Sequence, residues 1–117
     1  LRGIISSSAV SAPAAARAIK TTGREGEVFA TGVALPSSIR SYLKDGSQKA
    51  FFIWDPAKLG YLSVYAAYEA LEGNLSKEPG TTFEAGELGE FEVGEEGEIV
   101  YGRPLIFTPE NIDEFDF

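Results

Sequence analysis

Trp54 and Asp55 are the residues whose types and spacing best fit a chemical task. A carboxylate accepts hydrogen bonds from two neighbouring hydroxyls, and an indole offers an apolar plate to the C–H face of a sugar ring. Trp54 is the only Trp in the chain. The same step also reads as plain architecture. Asp at an N-cap followed by Pro at N1 starts a helix, and a single Trp suits a core. A second candidate is Ala34-Leu35-Pro36, a strand-to-helix turn whose backbone groups can face a ligand or simply connect two elements. Both candidates follow the carboxyl ends of expected strands, where open α/β sheets bind ligands. Tyr61, Tyr65 and Tyr68 fall at i, i+4 and i+7 and share a helix face, expected to pack with its hydroxyls in water.

No catalytic set emerges. The chain has no His and no Cys. That excludes, within these residues, a Ser-His-Asp triad, a cysteine nucleophile, an Fe–S cluster and a disulfide scaffold, and it disfavours a zinc enzyme. Glu84, Glu87, Glu90, Glu92, Glu95, Glu96 and Glu98 have the spacing of a solvated hairpin face rather than of a paired acid and base. Ser6-Ser7-Ser8 has no base within reach along the sequence. No EF-hand loop, P-loop or GxGxxG occurs. The expectation is a protein that is not an enzyme and needs neither metal nor cofactor.

The net charge is −8 over 117 residues, and it is unevenly placed. Residues 1–77 carry nine Lys/Arg against six Asp/Glu, whereas residues 78–117 carry one Arg against twelve Asp/Glu. Nucleic acid as a partner calls for a basic footprint, which this balance does not provide. The acidic stretch is expected to serve solubility at the outer surface. No run reaches the ~18 apolar residues of a membrane span.

The elements that must position the candidates alternate. Gly3-Ile4-Ile5-Ser6 suits a buried strand. An Ala-rich helix follows around Ala14–Lys20, with Ser8 or Ser11 as its expected N-cap and Pro13 near its start. Val28–Ala34 is a second strand, and Ser37 or Ser38 is expected to cap a helix over Ile39–Leu43. Ala50–Trp54 is a third strand, apolar throughout and so expected to be covered on both faces. The longest helix runs from about Ala57 to Glu72 and closes at Gly73. This order predicts an α/β fold with a parallel sheet of βαβ units. The pattern then changes. Gly94-Glu95-Glu96-Gly97 is a turn signal, predicting an antiparallel hairpin of Phe91–Val93 with Glu98–Tyr101. Arg103–Thr108 reads as a last strand, and Thr108 as the cap of a helical turn over Pro109–Asp113. Three βα units are few for a parallel sheet, and the chain starts at Leu1 with no Met anywhere. It is therefore expected to be part of a larger protein.

Four stretches, in order and covering nearly the whole chain, resemble one family. They are Gly3-Ile4-Ile5 with its Ala-rich helix, Gly32-Val33-Ala34-Leu35-Pro36-Ser37-Ser38-Ile39-Arg40, Phe52-Ile53-Trp54-Asp55-Pro56 through Gly60, and Pro104 through Asp113 with the closing Phe115-Asp116-Phe117. They are similar to the periplasmic sugar-binding proteins of ABC transporters, type I fold, in the branch of rhamnose-binding and autoinducer-2-binding proteins. The resemblance is to the C-terminal part of a two-lobe receptor. It implies that residues 1–53 belong to the C-terminal sugar-binding lobe. Residues 54–78 would be a hinge crossing and a helix packing on the N-terminal lobe. Residues 79–117 would be a hairpin and a closing segment returning to the C-terminal lobe.

The implied function is capture of a small sugar such as rhamnose between the lobes, in the periplasm, for a membrane permease. A missing N-terminal lobe, or a second copy of the chain, would complete the structure. Trp54 is implied for ring contact and Asp55 for hydroxyl contact or hinge capping, with Ala34, Leu35 and Pro36 lining the site. Ribose-type relatives carry an aspartate near the position of Ala34, and this sequence departs there. An autoinducer-2 receptor and the sugar-sensing domain of a repressor share the fold and stand as alternatives.

Overall fold

The computed structural model describes residues 1–117. Six strands and three α-helices follow one another as β1 (Gly3–Ser6), α1 (Ser11–Thr21), β2 (Phe29–Gly32), α2 (Pro36–Lys44), β3 (Phe51–Ile53), α3 (Pro56–Glu72), β4 (Thr82–Glu84), β5 (Glu90–Glu92) and β6 (Leu105–Phe107). The chain divides into two units. Unit 1 is Leu1–Ile53 with Pro104–Phe117, and unit 2 is Trp54–Arg103.

Unit 1 is built on strands in the order β1-β2-β3-β6. β1 and β2 pair in parallel, with Ser6 opposite Gly32. A parallel bridge from Val33 to Phe52 carries the sheet on to β3. β6 adds antiparallel, Phe51 opposite Phe107. β2 meets β3 only near its end, and a side chain fills the gap: buried Gln48 accepts from the Ala30 N–H through Oε1 at 2.6 Å. Ala12, Ala16 and Ile19 of α1 and Ile39 and Leu43 of α2 join Ala30, Val33, Phe51, Phe107 and Ile112 in one core. Both crossovers therefore lay their apolar stripes on the same face of the sheet. Phe51 and Phe107 are completely buried, each burial being worth roughly 1.5–3 kcal/mol.

Four local expectations change. β1 forms, but it is covered on one face only, and Ile5 is 82% exposed. No serine caps α1; Val10 holds that position, and Ser8 instead accepts from the Val10 N–H through its hydroxyl. α2 begins earlier than Ile39, with Pro36 at N1 and Leu35 before it. Proline suits N1 because its φ is preset for a helix and its missing N–H is one of the unpaired ones there. Near the chain's end, Thr108 is no cap. Its N–H donates to Asn111 Oδ1, and a 3-10 turn follows at Ile112–Glu114.

Unit 2 sets α3 against a small hairpin. Asp55 starts the helix and Gly73, in the left-handed region at φ 80°, ends it. Of its seventeen residues only Leu62 is buried, against Phe83 and Ala85. The expected hairpin is displaced. β5 pairs with β4, Phe83 opposite Phe91, and the Gly94–Gly97 turn is crossed by a single bridge from Val93 to Ile99. Burial decides it: the Phe83–Phe91 pair, ring centroids 6.1 Å apart, joins the apolar cluster on Leu62 while Thr82, Glu84, Glu90 and Glu92 face water.

Candidate functional site

In unit 1 the carboxyl ends of β1 and β2 are brought into backbone contact. The Val33 N–H donates to the Ser6 carbonyl at 3.0 Å. Gly32 sits at φ 136°, and a Cβ there would overlap the Ser6 carbonyl oxygen. Only glycine permits this approach. Beyond it, Ala34 is fully buried and its N–H donates to the Phe52 carbonyl at 3.0 Å. The side chain and N–H of Ala34 are thus committed to the fold. Leu35 is extended and 40% exposed. Pro36 is buried at the start of α2. The exposed surface of this turn is the Leu35 side chain and adjoining backbone.

The same edge holds residues that the sequence had set aside. Ser6 is buried at the end of β1, and its hydroxyl pairs with that of Ser11 and donates to the Ser8 carbonyl at 3.3 Å. Ser7, Ser8 and Val10 are exposed beside it. The missed signal was topological: β1 is a parallel strand, so its carboxyl end counts equally with that of β2. Lack of a base argued against Ser6-Ser7-Ser8 as nucleophiles, not as hydroxyls for binding.

In unit 2, Trp54 is 43% exposed, so it is not a core residue of these 117. Asp55 uses one carboxylate oxygen as a helix cap. Its Oδ1 accepts from the N–H groups of Ala57 at 3.0 Å and Lys58 at 3.1 Å. No group in the chain donates to Oδ2. A cap oriented this way fixes the side chain and leaves one acceptor for another hydroxyl. Tyr61 and Tyr65 pack together, centroids 4.8 Å apart, and Tyr61 donates to the Tyr65 hydroxyl. Both hydroxyls fill the space a Cβ at Gly86 would need, and Tyr61 accepts from the Glu87 N–H at 3.4 Å. The tyrosines thus hold the Ala85–Gly89 turn. A concavity of about 350 Å³ lined by Val64, Tyr65 and Tyr68 lies farther along α3 than Trp54 and carries no charged side chain.

No group of three or more His, Cys, Asp or Glu residues is arranged to hold a metal. No helix is long and apolar enough to cross a membrane.

Residues 1–75 match the periplasmic binding protein domain family. The chain belongs to that family. Solved structures agree along its whole length. A sugar ABC transporter protein from Actinomyces odontolyticus is 44% identical, with a TM-score of 0.76, over 100% of this chain and 38% of that one. An ABC transporter solute-binding protein from Clostridium phytofermentas, with bound L-rhamnose, is 29% identical, with a TM-score of 0.83, over 98% of this chain and 40% of that one. LsrB from Clostridium saccharobutylicum, in complex with AI-2, is 26% identical, with a TM-score of 0.79, over 100% and 40%. The expected α/β fold is that of part of a type I periplasmic binding protein. The chain spans about two fifths of the length of these relatives.

Proposed function

We propose that these residues belong to the substrate-binding component of an ABC sugar importer, which captures a small sugar such as L-rhamnose between two lobes in the periplasm. The observation that carries this reading is the 44% identity, over 100% of this chain, to a sugar ABC transporter protein. The exposed indole of Trp54 and the free oxygen of Asp55 supply the chemistry a sugar needs, an apolar plate and a hydroxyl acceptor. Leu35, the backbone around Ala34 and Pro36, and the hydroxyls of Ser7 and Ser8 line the C-terminal-lobe side.

On this reading residues 1–53 and the closing segment form part of the C-terminal lobe. Trp54 begins a hinge crossing, and α3 packs on the N-terminal lobe. Sugar contacts made only in the closed form shift the protein toward closure, because a ligand moves such an equilibrium only by its differential affinity. The closed form then delivers the sugar to a permease.

Titration calorimetry of the full-length protein against L-rhamnose, L-fucose, D-ribose, D-glucose and AI-2 tests this. Saturable binding of a sugar, with compaction in small-angle scattering, is the expected result. Selective binding of AI-2 would replace the sugar importer by a signal receptor. No response to any of them would defeat the reading.

A further inference from the structure

The first turn of α2 is held by the far end of the chain. Pro36 at N1 has no N–H, and no side chain caps this helix. The next donor, the Ser37 N–H, goes to the carbonyl of Phe117 at 3.2 Å. Contacts farther back bring Phe117 there. Arg40, one turn into α2, donates from Nη2 to the Phe115 carbonyl at 2.5 Å and from Nη1 to Asp113 Oδ1 at 3.0 Å. Lys44 meets the other oxygen of Asp113 at 2.7 Å. The rings of Phe115 and Phe117 pack edge-on against buried Phe107, centroids 4.8 and 6.4 Å away.

We propose that residues 112–117 are a clasp that orders the Leu35–Pro36 turn for ligand, with Arg40 as its positioning residue. The proposal rests on the reading of that turn as part of a sugar site. A helix start without a side-chain cap frays, and fraying here moves Leu35 and Pro36 directly. The clasp supplies the missing acceptor. Arg40 suits the task because a planar fork reaches a carbonyl and a carboxylate together, which a single ammonium does less well. A turn ordered before binding loses less freedom on binding, and affinity rises accordingly.

The test uses the full-length protein, its Arg40→Ala and Arg40→Lys variants, and the same sugar panel. Hydrogen exchange is read residue by residue, and affinity is measured by calorimetry. For Arg40→Ala we expect exchange at Ser37 about fivefold faster and affinity about threefold to tenfold weaker. Amides of β1 and α1 should keep their protection, and Arg40→Lys should fall between wild type and Arg40→Ala. Unchanged Ser37 exchange in Arg40→Ala overturns the clasp. Faster exchange spread evenly over unit 1 with unaltered affinity overturns it too, leaving Arg40 a residue of general stability. Should Arg40→Ala not fold, Arg40→Lys decides by the same two readings. If wild type binds nothing in the panel, the sugar reading fails, and the exchange measurement still decides whether the clasp exists.

Discussion

The two units treat their helices differently. In unit 1, α1 buries Ala12, Ala16 and Ile19, and α2 buries Pro36, Ile39 and Leu43. Each is apolar along one stripe, and that stripe is covered. In unit 2, α3 is the longest helix and buries Leu62 alone. Val64 is 69%, Tyr68 55% and Leu71 87% exposed. A helix that is apolar on most sides has the composition of an element covered on more than one face. The helices of unit 1 thus find their partners within the unit, and α3 finds only some of its own. That contrast is what the proposed packing of α3 on an N-terminal lobe explains.

The comparison is open to attack at several points. The largest expected effect is in the closed core. Phe107→Ala should destabilise the full-length protein by about 3–5 kcal/mol in urea unfolding, since it empties a completely buried site. A loss below about 1 kcal/mol would mean that unit 1 is no tighter than unit 2. Next comes α3. Val64→Lys should cost about 2 kcal/mol or more in the full-length protein, where the proposed lobe covers it. Val10→Lys, at a site 81% exposed on unit 1, should stay within about 0.5 kcal/mol. Equal, small effects from both lysines would remove the argument that α3 is a covered helix.

Asp55 comes third. Asp55→Ala should cost about 1 kcal/mol through loss of the helix cap. Asp55→Asn keeps an oxygen for the cap and should restore stability. If the free oxygen receives a sugar hydroxyl, Asp55→Asn should still bind sugar more weakly, as calorimetry would show. Wild-type affinity in Asp55→Asn would reduce the residue to a cap.

The smallest effect is at the surface of unit 1. Asp45 is lowered from 3.8 to about 2, chiefly by the hydrogen bond from Lys20, with help from Ser47. Its folded pKa lies below the ordinary one, so the pair stabilises fully above pH 3.8, and that contribution is lost as pH falls through about 2. Both side chains are partly exposed, which keeps the contribution small. Acid titration of Asp45→Asn should show a slightly weaker protein at neutral pH whose curve meets that of wild type near the acid end. Identical curves throughout would show the pair to be inert.

Much of the layout was legible because its signals are local. The strand and helix alternation through Glu72, the Asp55-Pro56 helix start and the Gly73 stop each rest on neighbours a few residues apart. The candidate site was legible only in part. Trp54-Asp55 could be named from residue type. The cap that orients Asp55 and leaves one oxygen free needed the helix. Ser7 and Ser8 follow a strand that the alternation already made parallel, and only the lack of a neighbouring base turned the reading away from them.

By itself, then, the sequence determined the α/β class, the order of the helices, the start and stop of α3, and the family that these segments resemble. Tertiary structure alone decided which strand β6 joins, that Phe83 pairs with Phe91, and that the Ser37 N–H is capped by Phe117. The physical reason is range. A cap or a stop signal is settled by bonds within one turn of the chain. A strand edge or an unpaired N–H accepts any partner of the right shape. The choice among partners is made by burying Phe51, Phe83 and Phe107 together with residues distant in sequence.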